Sequence, residues 1–171
     1  MNKIRVMNEL LSNKIAAGEV VEKVVSIVKE LVENSVDAKA TNIKIDLKEA
    51  GIREIIVTDN GIGMNREDAT LAFQRHATSK LYTDDDLWNI SSLGFRGEAL
   101  PSIAAVSDVI LKTCDGEVGT MVHIKGGKIE KVTNSEARIG TQITVTSMFY
   151  NTPARLKHLR SPYAELANVV E

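Results

Sequence analysis

The sequence predicts an α+β fold, a two-layer sandwich in which helices cover one face of a mixed, mostly antiparallel β-sheet. Two observations lead to this prediction. Apolar residues recur every three or four positions through residues 19–38, which is the period of an amphipathic helix with a broad buried stripe. Apolar and polar residues then alternate in residues 42–58 and again from residue 106, as in β-strands with one buried face.

Composition is that of an ordinary globular protein. The 171 residues are 43% hydrophobic and 26% charged, with a formal net charge of −2, so no global basic field indicates nucleic-acid binding. The single cysteine, Cys114, cannot form an internal disulfide, and no apolar run is long enough to span a membrane. We expect a soluble, cytoplasmic chain whose residues 1–171 form one domain. Because the final helical pattern continues to Glu171, we expect this domain to be a fragment of a longer protein.

The first half of the chain predicts helices and one hairpin. A short helix is expected over residues 8–17, followed by a long helix that begins at about Val20 and ends near Asp37–Ala38. Residues 42–58 predict a β-hairpin. Asn65 is a suitable N-cap for a helix over about 66–77.

The second half predicts mostly strands. Residues 78–97 are polar, acidic and glycine-rich, and a connection of that length is typical of a functional lid or a disordered loop. A short helix is expected over about 98–105 and a last one over 153–171. Between them an antiparallel meander is predicted, with strands at residues 107–114, 119–125, 128–133 and 140–147.

Three stretches are candidates for chemistry. Glu30, Asn34 and Asp37 lie at positions i, i+4 and i+7 along one edge of the long helix, where a carboxylate and an amide could activate water and bind a hard cation. Residues 59–64 place a carboxylate and two glycines at a strand end, suited to a close ligand approach. Residues 94–100 lead from glycines into a helix, where backbone N–H groups bind anions. Taken singly, these are also a solvated helix face, a plain turn and a plain loop.

Other common sites are not indicated. The sequence contains no G-x-x-x-x-G-K-[ST], no G-x-G-x-x-G and no H-E-x-x-H motif. The three histidines, His76, His123 and His158, lie far apart and predict ordinary surface or core residues. Cys114 lies in a strand pattern and is predicted to be a core residue.

Taken together, the motifs resemble the ATPases of the gyrase, Hsp90, histidine-kinase and MutL superfamily. The resemblance is carried by Glu30-x-x-x-Asn34-x-x-Asp37-Ala38, Asp59-x-Gly61-x-Gly63-Met64, Gly94-x-x-Gly97 and Gly140-Thr141. Within this superfamily the chain is most similar to the MutL family of DNA mismatch-repair proteins. The segments that indicate this branch are 15–21, 29–35, 75–80, 94–100 and 151–155, and they span nearly the whole chain.

The resemblance implies a Bergerat-type ATP-binding fold, with ATP and Mg²⁺ as cofactors. It implies that Glu30 is the general base for the attacking water, that Asn34 binds Mg²⁺, and that Asp59 accepts a hydrogen bond from the adenine amine. Thr141 would lie beneath adenine near Asp59, and the two glycines of residues 59–64 would let the backbone pass the base. The implied nucleotide-binding residues are Asn34, Asp37, Ala38, Asp59, Gly61, Gly63, Met64, Thr78, Ser79, Lys80, Gly94, Phe95, Arg96, Gly97, Glu98, Ala99, Leu100 and Thr141.

The resemblance also implies a larger assembly. In the family, ATP binding orders the lid and the N-terminal segment and dimerises the protein, which works with the mismatch-recognition protein MutS and downstream repair proteins. A lysine from the following domain reaches the γ-phosphate there, and we expect that domain and the C-terminal dimerisation region to lie beyond Glu171. Turnover by this chain should therefore be slow. One departure is mild: the family usually has Arg-Pro where this chain has Lys23-Val24.

Three alternatives stay open. The chain could be a chaperone- or topoisomerase-type ATPase of the same superfamily, against which Thr78–Lys80 and Asn151–Arg155 argue. It could be a nucleotide-binding module without turnover. It could also bind DNA through the basic residues near its C-terminal end, Arg155, Lys157, His158 and Arg160, although a solvated helix terminus explains them equally well.

Overall fold

The computed structural model describes residues 23–74 and 99–157. Within these ranges no helix is sufficiently long and apolar to cross a membrane. The helices are α1 (Val24–Asp37), α2 (Arg66–Leu71), α3 (Ala99–Ala105) and α4 (Pro153–Leu156). The strands are β1 (Ile43–Lys48), β2 (Glu54–Asp59), β3 (Asp108–Cys114), β4 (Gly119–Lys125), β5 (Lys128–Ser135) and β6 (Gly140–Thr146).

The six strands form one sheet in the order β1-β2-β6-β3-β4-β5. The α+β class is confirmed, and every pair of described strands is antiparallel although the prediction allowed for a mixed sheet. The predicted meander is correct for β3, β4 and β5 but wrong for β6. That strand returns to the sheet centre, between β2 and β3, and so joins the hairpin to the rest of the sheet.

One face of the sheet carries the core. Strand alternation places Ile55 and Val57 of β2 on the same face as apolar residues of β6, β3 and β4, and these side chains are buried. The apolar stripe of α1 packs on this face through Val24, Ile27, Val28 and Leu31. The opposite face carries Lys44, Thr58, Gln142 and Lys112, so only one layer of helix is needed to cover the sheet.

Helix α1 begins later than predicted. Lys23 has φ −139° and ψ 163°, so its backbone is extended and the helix begins at Val24 rather than at about Val20. Val24 is fully buried and belongs to the core, which holds the first turn against the sheet. The predicted end near Asp37–Ala38 is confirmed.

The short helices differ from their predicted lengths mainly at their C-terminal ends. The Asn65 side chain accepts a hydrogen bond from the Asp68 N–H at 2.8 Å, which confirms the predicted N-cap of α2, but the helix ends at Leu71 rather than at about 77. Helix α4 ends at Leu156, well before the predicted residue 171. The predicted loop over residues 78–97 lies outside the described residues, as do the predicted helix over 8–17 and the chain after residue 157.

Helix α3 is anchored at its C-terminal end by tertiary hydrogen bonds. The Gly127 N–H donates to the Ala104 carbonyl at 3.0 Å, and the Asn151 side-chain amide donates to the Ala105 carbonyl at 2.9 Å. These contacts satisfy carbonyls that have no partner inside a helix. Gly127 therefore joins α3 to the β4–β5 turn, and Asn151, the first residue of the 151–155 motif, joins it to the segment after β6.

Candidate functional site

The buried face of the sheet is apolar except at one end, where a polar row crosses four strands. Register pairs Asp59 with Thr141, Thr141 with Thr113, and Thr113 with Thr120. All four side chains are buried, so each needs polar partners inside the protein or in a ligand. The row exists because β6 lies between β2 and β3, which brings residues more than 80 positions apart in sequence into contact.

Asp59 is the centre of this polar end. Its Oδ1 accepts hydrogen bonds from the Gly61 N–H at 2.9 Å and the Thr141 N–H at 3.2 Å. Its Oδ2 accepts one from the Ser35 hydroxyl at 2.7 Å. A carboxylate oxygen accepts about two hydrogen bonds, so within the described residues Oδ2 keeps one acceptor position. The site therefore favours a hydrogen-bond donor on whatever occupies it.

Ser35 is a residue of the candidate site that the sequence analysis did not single out. It follows Val24, Val28 and Leu31 on the apolar stripe of α1, at the spacing of a core residue, and it is buried. A single serine within a buried aliphatic stripe needs a partner, and here Asp59 and the Leu31 carbonyl provide it. That break in the stripe is the signal from which the contact could have been predicted.

The polar edge of α1 lies next to this contact. Glu30 and Asn34 are half-buried and one helical turn apart, and Asn34 directly precedes Ser35. Asp37 ends the helix, also half-buried, and Ala38 follows it as the C-cap. The first and second predicted stretches therefore lie next to each other in the structure.

The loop after Asp59 packs tightly between α1 and the sheet. The Ile62 N–H donates to the Ala38 carbonyl at 2.9 Å, and the Met64 N–H donates to the Thr113 hydroxyl at 2.9 Å. A Cβ atom at Gly61 would lie 2.6 Å from the Ala38 carbonyl oxygen. Packing against Ala38 therefore already requires glycine at position 61. That this loop also approaches a nucleotide base remains a prediction.

Gly63 is expected to be the least replaceable residue of this loop. Its φ is +68°, and an added Cβ would lie 1.9 Å from the Cys114 carbonyl oxygen. We expect Gly63→Ala to lower the free energy of unfolding by at least about 2 kcal/mol, because backbone strain adds to the collision. Gly116→Ala is the matched control, since φ there is +116° but the nearest atom would be 3.9 Å away.

Urea denaturation of both variants measures the difference. The strain interpretation requires Gly63→Ala to be clearly less stable than Gly116→Ala. Equal loss in the two variants would show that positive φ alone sets the cost and that contact with Cys114 does not matter.

The remaining predicted residues fall into two groups. Ala99 and Leu100 are half-buried at the start of α3. The other predicted lid residues lie outside the described ranges: Thr78, Ser79, Lys80, Gly94, Phe95, Arg96, Gly97 and Glu98.

The basic residues and histidines show no convergent site in the part of the chain that the structure describes. The Arg155 guanidinium lies over the Phe149 ring at 5.3 Å, and Lys157 is exposed, whereas His76, His158 and Arg160 lie outside the described residues. His123 contacts Asp108 at 2.7 Å on the face of the sheet opposite the core. Cys114 is buried, as predicted.

Comparison with known proteins gives the same assignment by independent means. The family described as histidine kinase-, DNA gyrase B-, and HSP90-like ATPases matches residues 22–153. DNA mismatch repair protein MutL of Lactiplantibacillus plantarum is 52% identical over the whole chain, and that of a Geobacillus species is 55% identical. The chain spans 25% and 28% of the length of these two relatives.

Solved structures extend the match to three dimensions. The Aquifex aeolicus MutL ATPase domain complexed with ADP superposes with a TM-score of 0.66 at 31% identity, covering 88% of this chain and 53% of that one. The N-terminal domain of a DNA repair protein gives a TM-score of 0.70 at 32% identity over 85% of this chain and 41% of that one. The chain therefore belongs to the histidine kinase-, DNA gyrase B- and HSP90-like ATPase family, and within it to the MutL mismatch-repair branch.

Proposed function

We propose that this chain is the ATP-binding and ATP-hydrolysing switch domain of a MutL-type DNA mismatch-repair protein. The observation that carries the proposal is the buried Asp59 carboxylate, which keeps an acceptor position at the polar end of the sheet beside the Glu30–Asn34 edge of α1. Its support from relatives is the ADP complex of the Aquifex aeolicus MutL ATPase domain.

Asp59 selects the base by hydrogen-bond polarity. The exocyclic amine of adenine is a donor and matches the remaining acceptor position on Oδ2. The 6-oxo group of guanine or hypoxanthine is an acceptor, and it would face the carboxylate oxygen without a proton between them. A buried acceptor pair of this kind is costly, so the site favours ATP over GTP and ITP.

Glu30 and Asn34 supply oxygen groups at the phosphate end. The Asn34 amide oxygen suits Mg²⁺, which takes few protein ligands together with phosphate oxygens and water. The Glu30 carboxylate, one helical turn away, can accept a proton from water. Asn34 would bind the ion, which when bound neutralises phosphate charge.

In this proposal Glu30 is the general base. Its carboxylate orients the attacking water and accepts its proton as the bond from the water oxygen to the γ-phosphorus forms and the bond to the β–γ bridging oxygen breaks, which releases ADP and phosphate. Asp37, Ala38, Gly61, Gly63 and Met64 shape the pocket around the nucleotide. Thr141 lies beside Asp59 and forms the floor beneath the base.

The role in the repair pathway is the broader part of the proposal. ATP binding would dimerise the full-length protein and couple mismatch recognition by MutS to later repair steps, as the resemblance to the MutL family implies. The names of the relatives support only the link to DNA mismatch repair. A contact with DNA through Arg155, Lys157 and Arg160 is the weakest component. A linear fall of log affinity with log salt concentration would support it, and no binding at low salt would dismiss it for this chain.

Thermal unfolding tests the nucleotide site. A non-hydrolysable ATP analogue with Mg²⁺, at about ten times its dissociation constant, should stabilise the chain by roughly 1.4 kcal/mol, or about 3–5 °C. We expect the shift to require Mg²⁺ and to disappear in Asn34→Ala. Val36→Ala is the control, because Val36 is 46% exposed on the same helix and lies outside the proposed site.

The outcomes separate the alternatives. A shift without Mg²⁺ dependence would reject the metal role of Asn34, and no shift with any nucleotide would reject this chain as a self-sufficient ATP site. The chaperone and topoisomerase alternatives are disfavoured because the MutL relatives match this chain over its whole length at 52% and 55% identity. Binding without turnover would favour the non-hydrolysing module.

A further inference from the structure

Two buried hydroxyl groups continue the hydrogen-bond network of Asp59 into the sheet. The Thr141 and Thr113 hydroxyl oxygens are 2.9 Å apart, and their residues are 8% and 3% exposed. Thr113 lies on β3, with β6 between it and Asp59, so its side chain does not contact the carboxylate directly. Any effect of Thr113 on the base must therefore be indirect, through a residue that Thr113 contacts.

The Thr113 hydroxyl has a fixed set of partners. It accepts a hydrogen bond from the Met64 N–H at 2.9 Å, so one of its two acceptor positions is occupied. Its single proton can go to the Gly140 carbonyl at 3.2 Å or to the Thr141 hydroxyl at 2.9 Å. Thr113 thus connects the loop after Asp59 with the start of β6, where it contacts both the Gly140 carbonyl and the Thr141 side chain.

The position of that proton decides what Thr141 offers to a ligand. If Thr113 donates to Gly140, the Thr141 hydroxyl donates to Thr113 and presents only acceptor positions. If Thr113 donates to Thr141, the Thr141 proton is released toward the site, beside the acceptor position of Asp59. An acceptor next to a donor is complementary to the amine and N1 of adenine, whereas hypoxanthine has the opposite pattern.

We propose that Thr113 is a positioning residue for nucleobase selection, which acts by orienting the Thr141 hydroxyl and by holding the Met64 amide. This inference rests on the proposed function, because it concerns the same pocket. Without the Thr113 hydroxyl, the Thr141 hydroxyl loses the partner that the described residues provide, and its direction is no longer set. Selectivity for a 6-aminopurine should then fall.

Thr120 offers a matched control. It is paired with Thr113 across β3 and β4, is equally buried at 2% exposure and lies one strand farther from Asp59. A general cost of replacing a buried threonine by valine should appear at both positions. An effect on the discrimination between nucleobases should appear only at Thr113.

The experiment compares ADP and IDP binding by titration calorimetry in the wild-type chain, Thr113→Val, Thr113→Ser and Thr120→Val. We expect Thr113→Val to weaken ADP binding about 3- to 10-fold, with little change for IDP, so that discrimination falls by a similar factor. Thr113→Ser keeps the hydroxyl group and should therefore keep the wild-type discrimination between ADP and IDP. Thr120→Val should remain within about twofold of the wild type.

A double-mutant cycle tests whether the effect passes through Thr141. If it does, Thr113→Val should have little further effect on discrimination in a Thr141→Val background. If Thr113→Val does not fold, Thr113→Cys takes its place, because the thiol is of similar size and a weaker hydrogen-bonding group.

The outcomes are distinct. Unchanged ADP and IDP affinities in a folded Thr113→Val or Thr113→Cys would overturn the inference and leave the proposed function standing. Equal loss for both nucleotides, or an equal effect of Thr120→Val, would also overturn it by showing a merely structural role. No nucleotide binding by the wild-type chain would reject the proposed function and the inference together.

Discussion

Replacing Glu30 with glutamine is expected to slow ATP hydrolysis by about 10²–10⁴-fold, the usual contribution of a general base. Glutamine keeps the shape of the side chain but cannot accept the proton of the attacking water. ATP affinity should remain within about threefold, because the substitution removes an interaction that develops during the reaction rather than in binding. Turnover is measured under single-turnover conditions, with the chain in excess over ATP, because we expect it to be slow.

Glu33→Gln is the control for this experiment. Glu33 lies on the same helix, and its carboxylate is 3.9 Å from the Lys29 ammonium, a surface pair of small energetic value. Its turnover should match that of the wild type within about twofold. Unchanged hydrolysis in Glu30→Gln would reject Glu30 as the base. Parallel loss of binding and turnover would assign it to nucleotide binding instead.

Replacing Asp59 with asparagine is expected to weaken ATP binding by about 10- to 150-fold, equivalent to the 1.5–3 kcal/mol of a hydrogen bond to a charged group. The Oδ1 position can keep its bonds from Gly61 and Thr141 as an amide oxygen. The Oδ2 position becomes an NH₂ group, which opposes the adenine amine. Calorimetric titration with ATP and ITP measures both affinities.

Nucleobase preference distinguishes recognition from loss of structure in this variant. An NH₂ group at the Oδ2 position can donate a hydrogen bond to the 6-oxo group of ITP. The ratio of ATP affinity to ITP affinity should therefore fall by a larger factor than the ATP affinity itself. Asp46→Asn is the control, because its side chain is 47% exposed on β1 and paired with Lys44. Equal loss of ATP and ITP affinity in Asp59→Asn would argue against base recognition by this carboxylate.

The elements that rest on local pattern were predicted well. The long helix, the hairpin and the four later strands follow from hydrophobic period, because one buried face imposes that period on each element. The helix boundaries that were predicted wrongly depend on tertiary contacts. Lys23 is extended and Val24, the first residue of α1, is buried in the core, whereas α2 ends at Leu71 although the helical pattern continues.

The candidate site was predicted in its parts but not in its assembly. Glu30, Asn34 and Asp59 stood out because their spacing and position resemble a known family of sites. Ser35 and Thr113 did not, because a serine in an apolar stripe or a threonine in a strand is unremarkable until its partner is known. Their importance comes from hydrogen bonds to residues 24 and 28 positions away in sequence.

The α+β class, the periods of α1 and the strands, and the residue types that suit nucleotide chemistry all follow from the amino-acid sequence alone. The position of β6 between β2 and β3, which sets Thr141 beside Asp59 and Thr113 behind it, is known only from the folded structure. The physical reason is that hydrophobic period specifies which face of a strand is buried, whereas strand order depends on long-range packing and on satisfying buried polar groups. The polar row at the sheet end exists only in that strand order.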